Sequence, residues 1–311
     1  MVANAASLVS ALRRKKLNVR PRTHALTSDS LGDKCFRRDD RGKDVEKQTK
    51  PFLIQGLQNI TQIRCGDNHV SALDTTGNIW AWGCNEQNQF GRRLVGRNSD
   101  PFTPSQVRVY RNKAKYIASG CYHSFAIDRN GNVWVWDANS FGEAEDAKIA
   151  GSNSAFVPPI KIRSLCQKQV LVLDGGAHHS AAVTADDQCL AWGRIDDGQL
   201  GIAFTPEQIQ DSTLIRCDDH DKPRICLRPT AIPTVQQAAY VACDSDHTIM
   251  IDQAGNAYAT GYGFQGQLGL GSNDAVKVAQ RITGKNVRDM RLTWAGAGAQ
   301  FSIIAGPAKI G

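Results

Sequence analysis

The sequence lacks both long apolar runs and long helical periods. No hydrophobic stretch approaches the roughly 18 residues that a membrane-spanning helix needs, and no helical periodicity persists beyond about two turns. Hydrophobic residues still make up 41% of the 311 residues, enough to bury a sizeable core. We therefore predict no membrane partner, and the short alternating segments bounded by Gly, Asp and Asn favour an all-β fold.

The nine cysteines lack the spacing of a metal site or a disulfide framework. Their number is odd and no CxxC pair occurs, so we predict buried, reduced thiols and a cytosolic or nuclear compartment. Neither the His178-His179 pair nor the run from Cys217 to His220 has the ligand spacing of a structural zinc site. The sequence therefore predicts no metal and no cofactor.

Motifs of covalent catalysis are also missing. The chain contains no GxSxG nucleophile elbow, no Walker loop and no pair of carboxylates placed as general acid and base. The glycines around Gly269 belong to a recurring turn and not to a phosphate-binding loop. We therefore predict that the protein is not an enzyme and that it acts by binding.

Acidic residues are absent from the first 28 positions, which contain six basic residues and so carry +6 of the formal net charge of +7. We predict a basic, disordered tail over residues 1–34. Its Arg13-Arg14-Lys15-Lys16 run is compatible with a nuclear import signal, a DNA-binding arm or a solvated charge run. An acid-free start that contains Ser7, Leu8, Leu12 and arginines also resembles a mitochondrial transit peptide.

A repeated unit dominates the rest of the chain, and its first intact copy runs from Ile63 to Gly91. One position, which we call the anchor, is occupied in successive units by His69, His123, His179, His247 and Phe301. Thirteen residues after the first four anchors stand Trp82, Trp136, Trp192 and Thr260. Three residues before the five anchors stand Gly66, Gly120, Gly176, Asp244 and Gly298.

The spacing inside the units is constant, whereas the anchors are separated by about 54, 56, 68 and 54 residues. Constant internal spacing with variable links predicts paired strands within a unit and free connections between units. We predict a β-propeller over residues 35–311, with repeat units at approximately 58–111, 112–168, 169–235, 236–288 and 289–306. A histidine that recurs once per unit is predicted to be a structural hydrogen-bonding residue.

The repeat, the WGCNEQNQFGRR run and the terminal AGAGAQFS together resemble the regulator of chromosome condensation family, particularly its fungal members. This family comprises guanine nucleotide exchange factors for the small GTPase Ran and has seven blades. Here five units and a remnant at residues 35–42 are recognisable, so about two N-terminal blades are expected to be missing or degenerate. Five units would either close on themselves or leave an open arc with two exposed sheet edges.

The resemblance implies that one propeller face and a protruding β-wedge promote nucleotide release from Ran, without covalent chemistry. It implies Ran as partner, histones and DNA as further partners of the tail, and the nucleus as location, with mitochondrion or cytoplasm as alternatives. A propeller scaffold without exchange activity and a mitochondrial repeat protein are the alternative functions.

The resemblance also implies the site residues. The wedge corresponds to Asp39, Asp40, Arg41, Gly42, Lys43, Asp44 and Val45, for which a polar inter-blade loop is the alternative. The GTPase-binding face is assigned to Asp67, Asn68, Glu86, Arg92, Tyr122, His178 and Asp246.

Overall fold

The computed structural model describes residues 18–19, 52–54, 56–67, 69–83, 104–107, 109, 113–144, 150 and 157–307. A short antiparallel pair joins β1 (Asn18–Val19) to β2 (Phe52–Leu53). Every other sheet consists of antiparallel strands that follow one another along the chain, apart from one inserted hairpin. This is the connectivity of propeller blades, and it confirms the all-β propeller fold.

Four sheets have four or five strands. The first contains β3 (Ile60–Cys65), β4 (His69–Asp74), β5 (Ile79–Gly83) and β6 (Ser105–Val107). The second contains β7 (Ala114–Ser119), β8 (His123–Asp128), β9 (Val133–Asp137) and β10 (Val157–Lys161). The third contains β11 (Val170–Gly175), β12 (His179–Thr184), β13 (Cys189–Arg194), β14 (Ile215–Cys217) and β15 (Pro223–Ala231).

The fourth sheet contains β16 (Ala238–Asp244), β17 (His247–Asp252), β18 (Ala257–Gly261) and β19 (Val276–Arg281). In the fifth unit, β20 (Trp294–Gly298) pairs with β21 (Phe301–Ala305) in a sheet of two strands. No described strand flanks β21 on its outer side, and Phe301 and Ile303 on it are 39% and 41% exposed.

The insertion in the third unit explains the long separation between the third and fourth anchors. It holds the one-turn helix α1 (Pro206–Gln210) and strand β14, which pairs with β15 at the outer edge of the sheet. A capping box starts α1, because Thr205 Oγ1 accepts from Gln208 N at 3.3 Å and Gln208 Oε1 accepts from Thr205 N at 2.9 Å. Leu227 on β15 packs with Ala150 of the second unit, so the hairpin braces two neighbouring blades.

Apolar side chains fill the spaces between consecutive blades. Between the second and third blades, Phe125 meets Trp192 edge-on with ring centroids 6.1 Å apart, and both side chains are fully buried. Leu173 and Leu190 of the third blade join the same cluster. A single blade has two apolar faces, so only stacking on its neighbours removes them from water.

A row of hydrogen bonds links the blades at the anchors. Each anchor histidine meets, through Nε2, the hydroxyl that follows the next anchor: His69 with Ser124 at 2.8 Å, His123 with Ser180, His179 with Thr248 and His247 with Ser302 at 2.9 Å each. Burial lowers the pKa of His69 and His247 to about 4, and that of His123 and His179 to about 3. These rings are neutral near pH 7 and join one blade to the next, which confirms the scaffold role predicted for them.

The polar turn between the second and third strands of a blade is built on an aspartate. Asp128 accepts hydrogen bonds from Asn130 N and Asn132 N at 2.9 Å and from Trp134 Nε1 at 3.0 Å. Asp74 and Asp252 form equivalent turns in the first and fourth blades. The carboxylate thus satisfies the donors of a tight hairpin and orients an aromatic side chain on the next strand, Trp134 in the second blade and Tyr258 in the fourth.

The described cysteines are free thiols, and Cys121, Cys189, Cys226 and Cys243 are buried. Burial raises the pKa of Cys189 to about 12, so its thiol is protonated and unreactive. Among the described helices none is long and apolar enough to cross a membrane.

Candidate protein-interaction face

The turns that precede the anchors lie side by side and form one surface, which we call the turn face. Main-chain hydrogen bonds join them in sequence: Asp67 N donates to Cys121 O at 3.1 Å, Cys121 N to Gly176 O at 3.0 Å and Ala177 N to Ser245 O at 2.9 Å. The backbone of the turn face is therefore continuous across four blades. Side chains at these turns are held in fixed relative positions.

An aromatic cluster occupies the gap between the second and third blades on the turn face. Tyr122 stacks on His178 with ring centroids 5.4 Å apart, and Phe141 lies 4.6 Å from the same imidazole. Burial, together with the charge of the nearby Asp67 carboxylate, raises the pKa of Tyr122. Tyr122 therefore lies between Asp67 of the first blade and His178 of the third.

Glu143 lies beneath this cluster and is fully buried. Its Oε2 accepts from Phe141 N at 2.8 Å, while Oε1 lies 3.7 Å from His178 Nδ1, which is ion-pair range but too long for a hydrogen bond. Burial raises the pKa of Glu143. In the third and fourth units the same position holds Gln199 and Gln267, which make the same short bond to backbone N–H groups.

An ion cluster fills the corresponding gap between the third and fourth blades. Arg194 Nε lies 2.9 Å from Asp196, and its Nη2 and Nη1 atoms lie 3.4 Å from Asp197 and 3.7 Å from Asp246. The same guanidinium lies 5.5 Å from the ring centroid of Phe141, so the ion cluster adjoins the aromatic one. Burial raises the pKa of Asp246, and the charge of Arg194 opposes that change.

The structure thus brings together the predicted face residues Asp67, Tyr122, His178 and Asp246 on one surface. The other predicted residues lie outside the described part of the chain: Asn68, Glu86, Arg92, the wedge at 39–45 and the tail residues Arg13, Arg14, Lys15 and Lys16.

Sequence reasoning missed Phe141, Glu143 and Arg194. Glu143 carries a detectable signal, since it stands 20 residues after its anchor where Gln199 and Gln267 follow theirs. Phe141 and Arg194 carry none, because their roles arise from contacts between blades. Within the described residues, no group of three or more His, Cys, Asp or Glu side chains is arranged to hold a metal ion.

The arrangement offers binding chemistry: aromatic surface, carboxylates and a paired arginine on a rigid face. No described triad of nucleophile, base and orienting group accompanies it. The anchor histidines have their Nε2 atoms committed to the next blade.

Comparison with known proteins gives consistent matches. The family model of the RCC1-like domain matches residues 28–304. Protein Pim1 of Schizosaccharomyces pombe is 33% identical over 268 residues, covering 85% of this chain and 48% of the relative. The guanine nucleotide exchange factor SRM1 of Saccharomyces cerevisiae is 30% identical over 269 residues, covering 84% of this chain and 54% of the relative.

The solved structure of Prp20p from Saccharomyces cerevisiae superposes with a TM-score of 0.77 at 29% identity, covering 87% of this chain and 60% of that one. The chain thus spans about half the length of the curated relatives named here. The match to the family model covers most of the chain and includes all five anchors, so the chain belongs to the RCC1-like domain family, the regulator of chromosome condensation β-propellers.

Proposed function

We propose that this protein is a guanine nucleotide exchange factor for the small GTPase Ran and that it contacts the GTPase through the turn face. The observation that carries the proposal is the 30% identity, over 84% of this chain, to a protein named as a guanine nucleotide exchange factor. The solved relative Prp20p, described with its binding to Gsp1p and histones, supports a GTPase partner. The continuous contacts from Asp67 to Asp246 provide a rigid surface for it.

The proposed mechanism is linkage and involves no covalent step. If the turn face binds nucleotide-free GTPase more tightly than the loaded form, nucleotide affinity must fall by the same factor. The GTPase holds its nucleotide mainly through its phosphate loop and Mg²⁺, so distorting that region is the direct way to obtain the coupling. We assign Tyr122, His178 and Asp246 to the contact surface and the wedge at 39–45 to the distortion.

Nucleotide release tests the proposal. Ran loaded with fluorescent GDP should release it about tenfold faster in the presence of the purified chain, because a typical coupling lowers affinity by that order and affinity differences lie mostly in the dissociation rate. The Tyr122→Ala/His178→Ala double variant should lose most of that acceleration, whereas Lys285→Ala, at an exposed site away from the turn face, should keep it. Binding without faster release would favour the scaffold function, and release no faster than in buffer would count against exchange activity.

We further propose that the protein acts in the nucleus, where the basic tail contacts DNA or histones. Its six basic residues and absence of acids favour binding to a polyanion. Residues 1–28 fused to a fluorescent reporter should accumulate in the nucleus, and replacing Arg13, Arg14, Lys15 and Lys16 by alanine should abolish that accumulation. Mitochondrial import of the reporter would overturn this assignment and support the transit-peptide interpretation.

A further inference from the structure

The gaps between blades on the turn face are equivalent in position but filled differently. Between the second and third blades, the aromatic rings of Tyr122, Phe141 and His178 occupy the gap. Between the third and fourth blades, Arg194 occupies it and is surrounded by carboxylates. Side chains of this protein therefore fill both gaps.

The gap between the fourth and fifth units contains an open cavity of about 260 Å³. A water molecule takes about 30 Å³ in the liquid, so this cavity has room for a long side chain. Its walls include Asp246, Tyr262, Gln265, Gln267, Ala299 and Gln300. Tyr262 and Gln265 stand at the repeat positions that Arg194 and Asp197 occupy in the third unit. The positions that supply an arginine and a carboxylate one gap earlier therefore supply a phenol and an amide here.

Asp246 supplies negative charge to the wall of this cavity. In the described part of the chain the buried Oδ1 of its carboxylate accepts no hydrogen bond, and Arg194 Nη1 is its ion-pair neighbour at 3.7 Å. A partly buried carboxylate without a hydrogen-bond donor gains stability from a cationic donor. The observed ion pair with Arg194 shows that the same carboxylate accepts a guanidinium as neighbour.

Aromatic surface lies beside the carboxylate. Tyr262 lines the cavity, and Phe264 meets it edge-on with ring centroids 4.9 Å apart while remaining 56% exposed. An aromatic face attracts a cation by its quadrupole, and the amide oxygens of glutamines can accept from a guanidinium or ammonium group. An exposed aromatic ring at the rim also provides apolar surface for the methylene stem of a long basic side chain.

We propose that this cavity is a subsite that receives a basic side chain, arginine or lysine, from the GTPase. The inserted side chain would do between the fourth and fifth units what Arg194 does between the third and fourth. The inference rests on the function proposed above and adds to it a specific contact and its charge. It makes Asp246 a shared wall between an internal arginine and a partner's basic group.

Opposite charges placed at Gln265 test this subsite. Gln265 is exposed and lines the cavity, so Gln265→Glu should leave folding intact and add a carboxylate where Asp197 stands in the third unit. Binding to nucleotide-free Ran, measured by biolayer interferometry, should become about threefold tighter for Gln265→Glu and about tenfold weaker for Gln265→Lys. Both effects should shrink as salt is raised.

Gln280→Glu and Gln280→Lys are the matched controls. Gln280 is exposed on the outermost strand of the same blade, so these variants reproduce the change in net charge without altering the cavity, and we expect wild-type affinity. Equal effects at both positions, no effect at either, or tighter binding by Gln265→Lys would overturn the subsite while leaving the proposed function intact. Failure of the wild-type chain to bind Ran would instead overturn the proposed function, and the subsite with it.

Discussion

Acidification from pH 7.5 to pH 5 should strongly destabilise this protein, because four anchor histidines are buried in neutral form. Their pKa values of about 3 to 4 lie well below the value of 6.5 for an unfolded chain. The unfolded state therefore binds more protons than the native state at any pH between these limits. The stability that the four neutral histidines contribute is complete above pH 6.5 and is lost as the pH falls towards 4. Burial raises the pKa of Asp174 to about 6, so this carboxyl takes up a proton in the native state and offsets part of the loss.

The slope of the unfolding free energy against pH follows from the difference in bound protons between the unfolded and native states. Near pH 5 the unfolded chain binds nearly four more protons than the native state at these positions, which corresponds to about 5 kcal/mol of unfolding free energy per pH unit. Because a native domain has only about 5–15 kcal/mol in total, the effect is comparable to the whole stability. Urea denaturation followed by tryptophan fluorescence at pH 7.5, 6.5, 6.0 and 5.5 measures it.

The fifth unit suggests the variant that isolates this effect. Its anchor is Phe301, so His247→Phe combined with Ser302→Ala replaces one histidine–hydroxyl pair by the kind of residue that the chain already uses at an anchor. The slope of stability against pH should fall by about one proton, or a quarter of the contribution of the four histidines. His220→Gln, at an exposed histidine, should leave the slope unchanged. Constant stability between pH 7.5 and 5.5 would contradict the assignment of neutral, buried rings.

Gly120→Ala should destabilise the protein by about 3 kcal/mol or more, because the new methyl group would collide with two blades at once. A Cβ at this position would lie 2.5 Å from Gly176 O and 2.8 Å from His123 Nε2. Gly176 O cannot withdraw freely, since it accepts the Cys121 N–H hydrogen bond at 3.0 Å. The imidazole is likewise tied to Ser180.

Gly284→Ala is the matched control for this substitution. No heavy atom lies within 4 Å of the position that its Cβ would take, and its φ is not in the left-handed region, so we expect a change within about 0.5 kcal/mol. Thermal and urea denaturation of both variants at pH 7.5 would compare them. A Gly120→Ala protein as stable as the Gly284→Ala protein would show that the blades can separate locally without loss, contrary to the tight packing at the anchors.

The anchor histidines and the glycines that precede them can be located from the repeat alone. Constant spacing marks both positions in each unit, because paired strands tolerate no insertion within a blade. The aspartate turns and the buried thiols also follow from local pattern. The third unit departs from four strands, since its long link contains a hairpin. Leu227 of this hairpin packs against the second blade, and its Ile215 joins the core shared with the fourth blade.

The sequence by itself determined the propeller fold, the positions of the repeat units along the chain and the place of the turn face, because each depends on spacing within one repeat. The tertiary structure decided what fills each gap between blades: Tyr122 against His178, Arg194 among its carboxylates, and an open cavity beside Asp246. The residues of this chain that meet in these gaps lie about one repeat apart in the sequence. Their meeting depends on how neighbouring blades stack, so the regular spacing that reveals the fold does not predict which side chains fill the gaps.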